Sequence, residues 1–380
     1  MSICFFNLYN YKIVLKKIFL IVLFFIFSAN ISFAKTNTSN QQSFYQAKVT
    51  QIISQGQISK DGQKNYFQKI LVLFETGPDK GKRVEVTNGI ESQIEKTQLV
   101  SPGQEIVVSE TRNSNGKADY TVYDFYRLNS LLILTLVFFV SIILIAGAKG
   151  IGSIFGMLLS LLVILFFIVP NIIKGQDPLT VTLIGSSVII VLSTYIAHGI
   201  SKKTTVALFS TLLTLILTVV LAELSMHLNN ITGLGNEDFY SLQISSSITF
   251  NIRGLFLSAV IIGTLGALND ITTTQAATVL ELKKANPKLK FIDLLEKGFN
   301  VGKEHIASLV NTLILAYVGS AFAVFIFLIL NPAHLPYWVI LNNEIIADEV
   351  VKIISGSIGL LLSVPIVTFI ASFVFSEIKS

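Results

Sequence analysis

Cysteine is nearly missing. Cys4 is the only one in 380 residues, so the chain closes no intramolecular disulfide and offers no CxxC metal or redox pair. It precedes the first apolar run, which also rules it out as a lipobox cysteine. Charge is scarce too: 13% of residues are charged, against 52% hydrophobic and a mean hydropathy of +0.68. A soluble core of this size would not hold that much apolar surface, so the composition places the chain in a lipid bilayer.

Catalytic signatures are lacking as well. The four histidines, His198, His227, His305 and His334, are scattered, and "KEH" at 303–305 has no second histidine one turn on, so no HExxH zinc site exists. No GxSxG nucleophile elbow occurs. "GPDKGKR" at 77–83 mimics a phosphate loop but is one residue short and lacks the Ser/Thr, and it lies between β-prone runs, where a hairpin turn is the better reading. Asp270 has no second membrane aspartate with which to form a dyad. The expectation is therefore no enzyme, no catalytic residues, no metal and no cofactor. The net charge of +5 and pI near 9.0 do not point to nucleic acid, because the lysines sit in short loops between apolar blocks.

What is present is organised in three parts. Lys12, Lys16 and Lys17 precede "IFLIVLFFIF" (18–27) and Ser32-Phe33-Ala34, the pattern of a signal peptide cleaved after Ala34 or of an uncleaved anchor over residues 1–34. Residues 35–127 are polar and rich in turn signals such as "TGPDKG" (76–81) and "NSNG" (113–116). Between those turns lie strand-length runs: "AKVTQIIS" (47–54), "YFQKILVLFE" (66–75), "KRVEVT" (82–87), "QEIVVSE" (104–110) and "ADYTVYDF" (118–125). They predict a small extracytoplasmic all-β domain, a barrel of the OB or SH3-like kind, with a small sandwich as the alternative.

Residues 128–380 read as an α-helical polytopic membrane bundle. Measured against the ~20 apolar residues that cross a bilayer, seven spans are expected, near Leu128–Gly147, Ile151–Val169, Leu179–Ala197, Thr205–Leu224, Gly254–Ile271, Ile306–Leu330 and Ile353–Phe375. With residues 35–127 outside, the inner loops hold ten basic residues, from Lys149, Lys202 and Lys203 through Lys283–Lys303 to Lys379, and the outer loops hold three, Lys174, Arg253 and Lys352. The positive-inside rule thus gives the same topology as the signal peptide: a bacterial cytoplasmic-membrane protein with a cytoplasmic C-terminus. The connection 331–352 reads as outer, with Tyr337 and Trp338 at the interface and "NEIIADEVVK" extending the last helix.

The spans contain two polar blocks. One is "ALNDITTTQ", with Asn269, Asp270, Thr273 and Thr274; the other is "NTLILAYVGS", with Asn311, Thr312 and Tyr317. A carboxylate in a span faces a bundle interior, a partner or water. Two readings of Asp270 stand: an inward-facing seam within reach of Asn311 or Tyr317, or an interfacial position on a helix that continues into the cytosol. Gly152, Gly156, Gly263, Gly266 and Gly319 are the candidates for close helix packing.

"GLxxE" at Gly233, Leu234 and Glu237, "IIGTLGALND" (261–270), and "GFNVGKEH" (298–305) running into "NTLILAYVG" (311–319) resemble the YibE/F family of bacterial multispanning proteins. The likeness extends over most of the chain. Where family members generally carry an Arg-Asp pair, this chain has Lys303-Glu304, and it has Asn269 where the family is apolar. The resemblance implies architecture and no agreed activity. The functional expectation is a transporter or permease for a small solute or ion, along a path bordered by the fifth and sixth spans. The alternative is a membrane assembly or sensory subunit whose exported β domain binds an envelope or membrane protein. The lipid bilayer is the one partner common to both.

Overall fold

The computed structural model describes residues 43–60, 63–90, 93–112, 118–235, 237–245, 249–331 and 334–377. The expected signal peptide over 1–34 lies outside them. The chain forms two compact units, one ending at Leu144 and the other beginning at Ile145.

The first unit contains a closed five-stranded barrel, β1 (Ser43–Lys60), β2 (Gln63–Phe74), β3 (Arg83–Asn88), β4 (Glu105–Arg112) and β5 (Ala118–Phe125), joined in the order β1-β2-β3-β5-β4. Five strands in a Greek-key barrel is the OB arrangement of the two kinds expected. β1 is long and bulged near Thr50 and Ile53, which lets one strand pair with β2 along its length and with β4 at its start: Ala47 stands opposite both Phe74 and Ile106. Period-two alternation turns Ala47, Val49, Ile70, Val72, Phe74, Val86, Ile106 and Val108 inward. A buried Gln68 fixes the loop before β4 by bonding both the amide (2.8 Å) and the carbonyl (2.9 Å) of Val100. At the barrel rim Tyr120 donates to Asp79 at 2.9 Å, and Lys82 reaches the same carboxylate at 2.8 Å. Burial first, then this hydrogen bond, pushes the Tyr120 phenol up to about 12. The bonds from Lys82 and Tyr120 hold the Asp79 carboxyl below its usual range.

The helices are α1 (Leu128–Gly147), α2 (Gly150–Ile173), α3 (Pro178–His198), α4 (Lys202–Leu228), α5 (Glu237–Ser245), α6 (Ile252–Ala285), α7 (Phe291–Ser320), α8 (Phe322–Leu330), α9 (Tyr337–Leu341) and α10 (Glu344–Ser376). Among the described residues six of them are long and apolar enough to cross a membrane, and α7 with α8 makes a seventh if this pair, bent by 67°, is one broken span and not a re-entrant loop. The polypeptide is a polytopic helical membrane protein with a small β domain. The path between α1 and α2 breaks at Gly147, whose φ of 58° with ψ of −138° favours glycine. α3 starts where it does because Asp177 accepts from the Thr180 amide at 2.9 Å. That bond, and those from the Thr180 hydroxyl and Asn251, hold the Asp177 carboxyl low.

α6 and α10 overrun the apolar stretches read from sequence, at 34 and 33 residues. Each is on the order of 50 Å long at about 1.5 Å per residue, so polar turns project past a hydrocarbon layer of about 30 Å. The core is built from Ile190, Leu215, Ile261, Leu268, Leu360 and Val364 of α3, α4, α6 and α10. Leucine, isoleucine and phenylalanine on the outer faces, including Leu132, Phe209, Ile216, Phe327 and Phe373, are exposed, as acyl-chain solvent requires. Hydroxyl pairs join the helices across the apolar interior: Thr182 to Ser258 at 2.9 Å and Thr211 with Thr272 at 2.6 Å.

Candidate functional site

The two polar blocks read from sequence do not meet as one seam. Asn269 turns to α3, where its side-chain oxygen accepts from the Thr194 hydroxyl at 2.8 Å. Asp270 is exposed, and the ionisable group acting on it is His198 at the end of α3. The Tyr317 hydroxyl lies instead against Gly263, where an added Cβ would come within 2.7 Å of it. Seven residues separate Gly263 from Asp270, about 10 Å along the helix axis, too far for a hydrogen bond. Asp270 therefore reaches neither Tyr317 nor, among the described residues, Asn311. Asn311 and Thr312 are exposed on α7, Thr312 bonding back to the Ser308 carbonyl at 3.0 Å. Thr274 is exposed, and Thr273 is buried with its hydroxyl unpartnered.

The glycines divide in the same way. Gly152 and Gly156 of α2 face the α3 backbone at Ile196 and Ser193, 3.7 Å from where a Cβ would stand. Gly266 and Gly319 face open space. Gly298 and Gly302, from "GFNVG", have the tighter role: Val364 of α10 occupies the place of a Gly302 side chain, and Thr368 and Val279 lie 2.9 Å from a Gly298 Cβ. Into that close contact Gln275 of α6 sends its amide, donating to the Gly298 carbonyl at 2.7 Å and to Thr368 at 2.9 Å. This three-helix staple was not visible in the sequence, where Gln275 reads as the end of a threonine run.

The richest polar constellation is at the other end of α6 and α10. Its first piece is the loop after α4. Gly233 adopts φ +86°, and Glu344, the first residue of α10, accepts from the Thr232 amide (2.7 Å), the Thr232 hydroxyl (2.6 Å) and the Gly233 amide (3.1 Å). Gly235 must lack a side chain, because a Cβ there would stand 2.7 Å from the Glu344 carbonyl carbon and 2.8 Å from Asp348 Oδ2. The loop packs over Asp348, which is 1% exposed; its carboxylate finds no side-chain partner among the described residues, and the Gly235 backbone amide is turned to it.

One turn on, Lys352 gives its ammonium to Glu349 at 2.6 Å, with the two side chains 12% and 16% exposed. The same ammonium stands 5.9 Å from the Phe256 ring centroid. Opposite them Tyr317 places its hydroxyl, buried and unpartnered, in a notch between Gly263 of α6 and Gly356 of α10. At the bend at Ala321 lies a cavity of about 710 Å³ whose walls are largely apolar, with Val324, Phe327 and Ile345, and whose polar lining is Tyr317, Ser320, Asp348, Glu349 and Lys352.

Sequence reasoning assigned Asp348 and Glu349 to an outer connection because "NEIIADEVVK" looks like a solvated helix start. The Thr232–Gly235 loop, far away in sequence, packs against Asp348, which is buried. The available signals were Gly233 and Gly235 in one short loop and a carboxylate and a lysine one turn apart, Asp348 and Lys352.

No curated protein and no solved structure gives a match to the chain. The model of the YibE/F-like protein family matches residues 134–377, from within α1 to the end of α10 and well over half of the sequence, and the chain belongs to that family.

Proposed function

We propose that the protein is a transporter or permease, not an enzyme, that moves a small solute or ion past the cavity at the bend between α7 and α8. The observation that carries this reading is the buried Asp348, with no ion pair and no side-chain hydrogen bond among the described residues, lining a cavity beside a bent helix pair. Burying an unpaired carboxylate costs several kcal/mol, and a helix bundle that served only as an anchor would gain nothing from it. Interrupted helices with polar groups beside the break are a recurrent form of transport site. In this reading the Asp348 end faces outward and the C-terminus the cytoplasm of a bacterial cell, with residues 35–127 exported behind a signal peptide; the lysine-rich loops support it.

The test is flux. Protein reconstituted in proteoliposomes should carry solute or ion, and Asp348→Asn should abolish that flux while keeping its yield and melting temperature. Wild-type vesicles no leakier than empty ones, across ions and small metabolites, would remove the reading.

The barrel supports a second reading, a partner-binding assembly or sensory subunit. Phe44 and Tyr123 pack edge to face at 4.9 Å on its surface, yet are 49% and 64% exposed. Stoichiometric co-purification of an envelope protein, lost on Phe44→Ser with Tyr123→Ser, would favour it.

A further inference from the structure

The charges around the cavity do not balance. Among the described residues two carboxylates, Asp348 and Glu349, line it with one ammonium, Lys352, and Glu344 stands one turn away from Asp348 at the start of the helix. Glu344 is satisfied by its three donors from Thr232 and Gly233, and Glu349 by Lys352. Tyr317, the titratable group that α7 adds, is neutral at physiological pH. Glu223 of α4 and Arg253 of α6, the charged groups at this end of those helices, pair with each other at 3.0 Å. Asp348 remains, 1% exposed, lining the cavity with no ion pair and no side-chain hydrogen bond among the described residues, the Gly235 backbone amide being turned to it. A carboxylate in that position has two low-energy states, protonated or neutralised by a bound positive charge.

We propose that the cavity is a monovalent-cation site in which Asp348 releases a proton as the cation binds and regains it as the cation leaves. The step balances: the O–H bond of the carboxylic acid breaks, the proton leaves to water, and the cation takes the carboxylate. The charge is monovalent because, among the described residues, no three Asp, Glu, His or Cys side chains converge as a metal site, and one carboxylate neutralises one charge. Further oxygen ligands stand ready around the cavity in the Tyr317 hydroxyl, which has no other partner, and the Ser320 side chain. Lys352 is the device that keeps the site from neutralising itself, because its ammonium is committed to Glu349. The inference rests on the transport reading for its purpose but not for its test.

The test uses the full chain in detergent, weakly buffered, with a pH-sensitive dye. Sodium, potassium and methylammonium chloride are added separately at constant ionic strength against N-methylglucamine chloride. At least one of them should release up to ~1 proton per chain and raise the melting temperature, and Asp348→Asn should do neither while eluting and melting as a folded protein. Should that variant not fold, the wild type decides, because exchange requires the apparent cation affinity to weaken, by up to about tenfold for each pH unit downward. Silence with all three cations, an affinity independent of pH, or a full response in folded Asp348→Asn overturns the proposal. Cation-dependent proton release without flux in vesicles would keep this inference and remove transport, whereas flux without such release would do the reverse.

Discussion

Lys352 makes its ion pair with Glu349, at 2.6 Å, and not with Asp348, one turn back on the same helix. The spacing would suit either carboxylate, at three or four residues. The choice of Glu349 organises the charge of the cavity.

Removing one member of that pair should therefore cost more than removing both. Lys352→Met leaves Glu349 nearly buried and unpaired, and should lower stability by about 1–3 kcal/mol, less than for a fully enclosed pair because some exposure remains. Lys352→Met with Glu349→Gln should recover most of the loss. Melting in detergent across the double-mutant cycle measures this, and strictly additive losses would show that the pair does not act as a unit.

The notch that receives Tyr317 makes a second cycle. Gly263→Ala puts a methyl 2.7 Å from the Tyr317 hydroxyl and should cost about 1–3 kcal/mol through overpacking. Tyr317→Phe removes an unpartnered buried hydroxyl and should be near neutral in stability, yet it should relieve most of the Gly263→Ala penalty. A double variant no better than Gly263→Ala alone would place the strain elsewhere.

These contacts show what the sequence could and could not disclose. The spans and barrel strands were legible because each is set by local pattern: a run of apolar residues for a span, alternation and turn residues for a strand. The polar start of α10 was legible in "NEIIADEVVK", whereas the continuation of α6 past Ile271 stood as one of two readings, because polar turns continue a helix without apolar periodicity. The seam was misjudged by rotation. Asn269 and Tyr317 are both polar residues in spans, but 100° per residue around α6 sends Asn269 to Thr194 on α3 and leaves the face at Gly263 for Tyr317. Asp348 was hidden for a different reason, since Gly235, which packs against it, comes more than a hundred positions earlier.

In the barrel, the Tyr120–Asp79 pair gives opposite pH signatures. Tyr120 has its folded value raised to about 12 from an ordinary 10, so the neutral phenol is favoured by folding. Its contribution is complete below about pH 10 and is lost as the pH rises through about 12. Asp79 is lowered, so its contribution is present above its ordinary value and is lost as the pH falls through the folded one. The difference in phenolate absorbance between wild type and Tyr120→Phe reports the tyrosine alone. Asp79→Asn should bring that titration down only partly, because burial is the larger cause. A return to the ordinary tyrosine value would make the hydrogen bond dominant.

The proposed topology sets the side from which a cation would reach Asp348. The turns at Lys202–Lys203 and Lys288–Lys290 lie at one end of the bundle, and the Thr232–Gly235 loop, which packs over Asp348, lies at the other, because α4 and α6 each run the full distance between them. Lysine-rich ends stay in the cytoplasm. A periplasm-active reporter fused after Gly116 or Asn230 should therefore work, and one fused after Lys203 or Lys290 should fail. A membrane-impermeant thiol reagent then makes the point residue by residue: on a background with Cys4→Ser, a cysteine at Ser320 should label from outside in intact cells, and one at Lys290 only after lysis. Labelling of Lys290→Cys in intact cells, or reporter activity after Lys290, would invert the map and put the mouth of the Asp348 cavity on the cytoplasmic side.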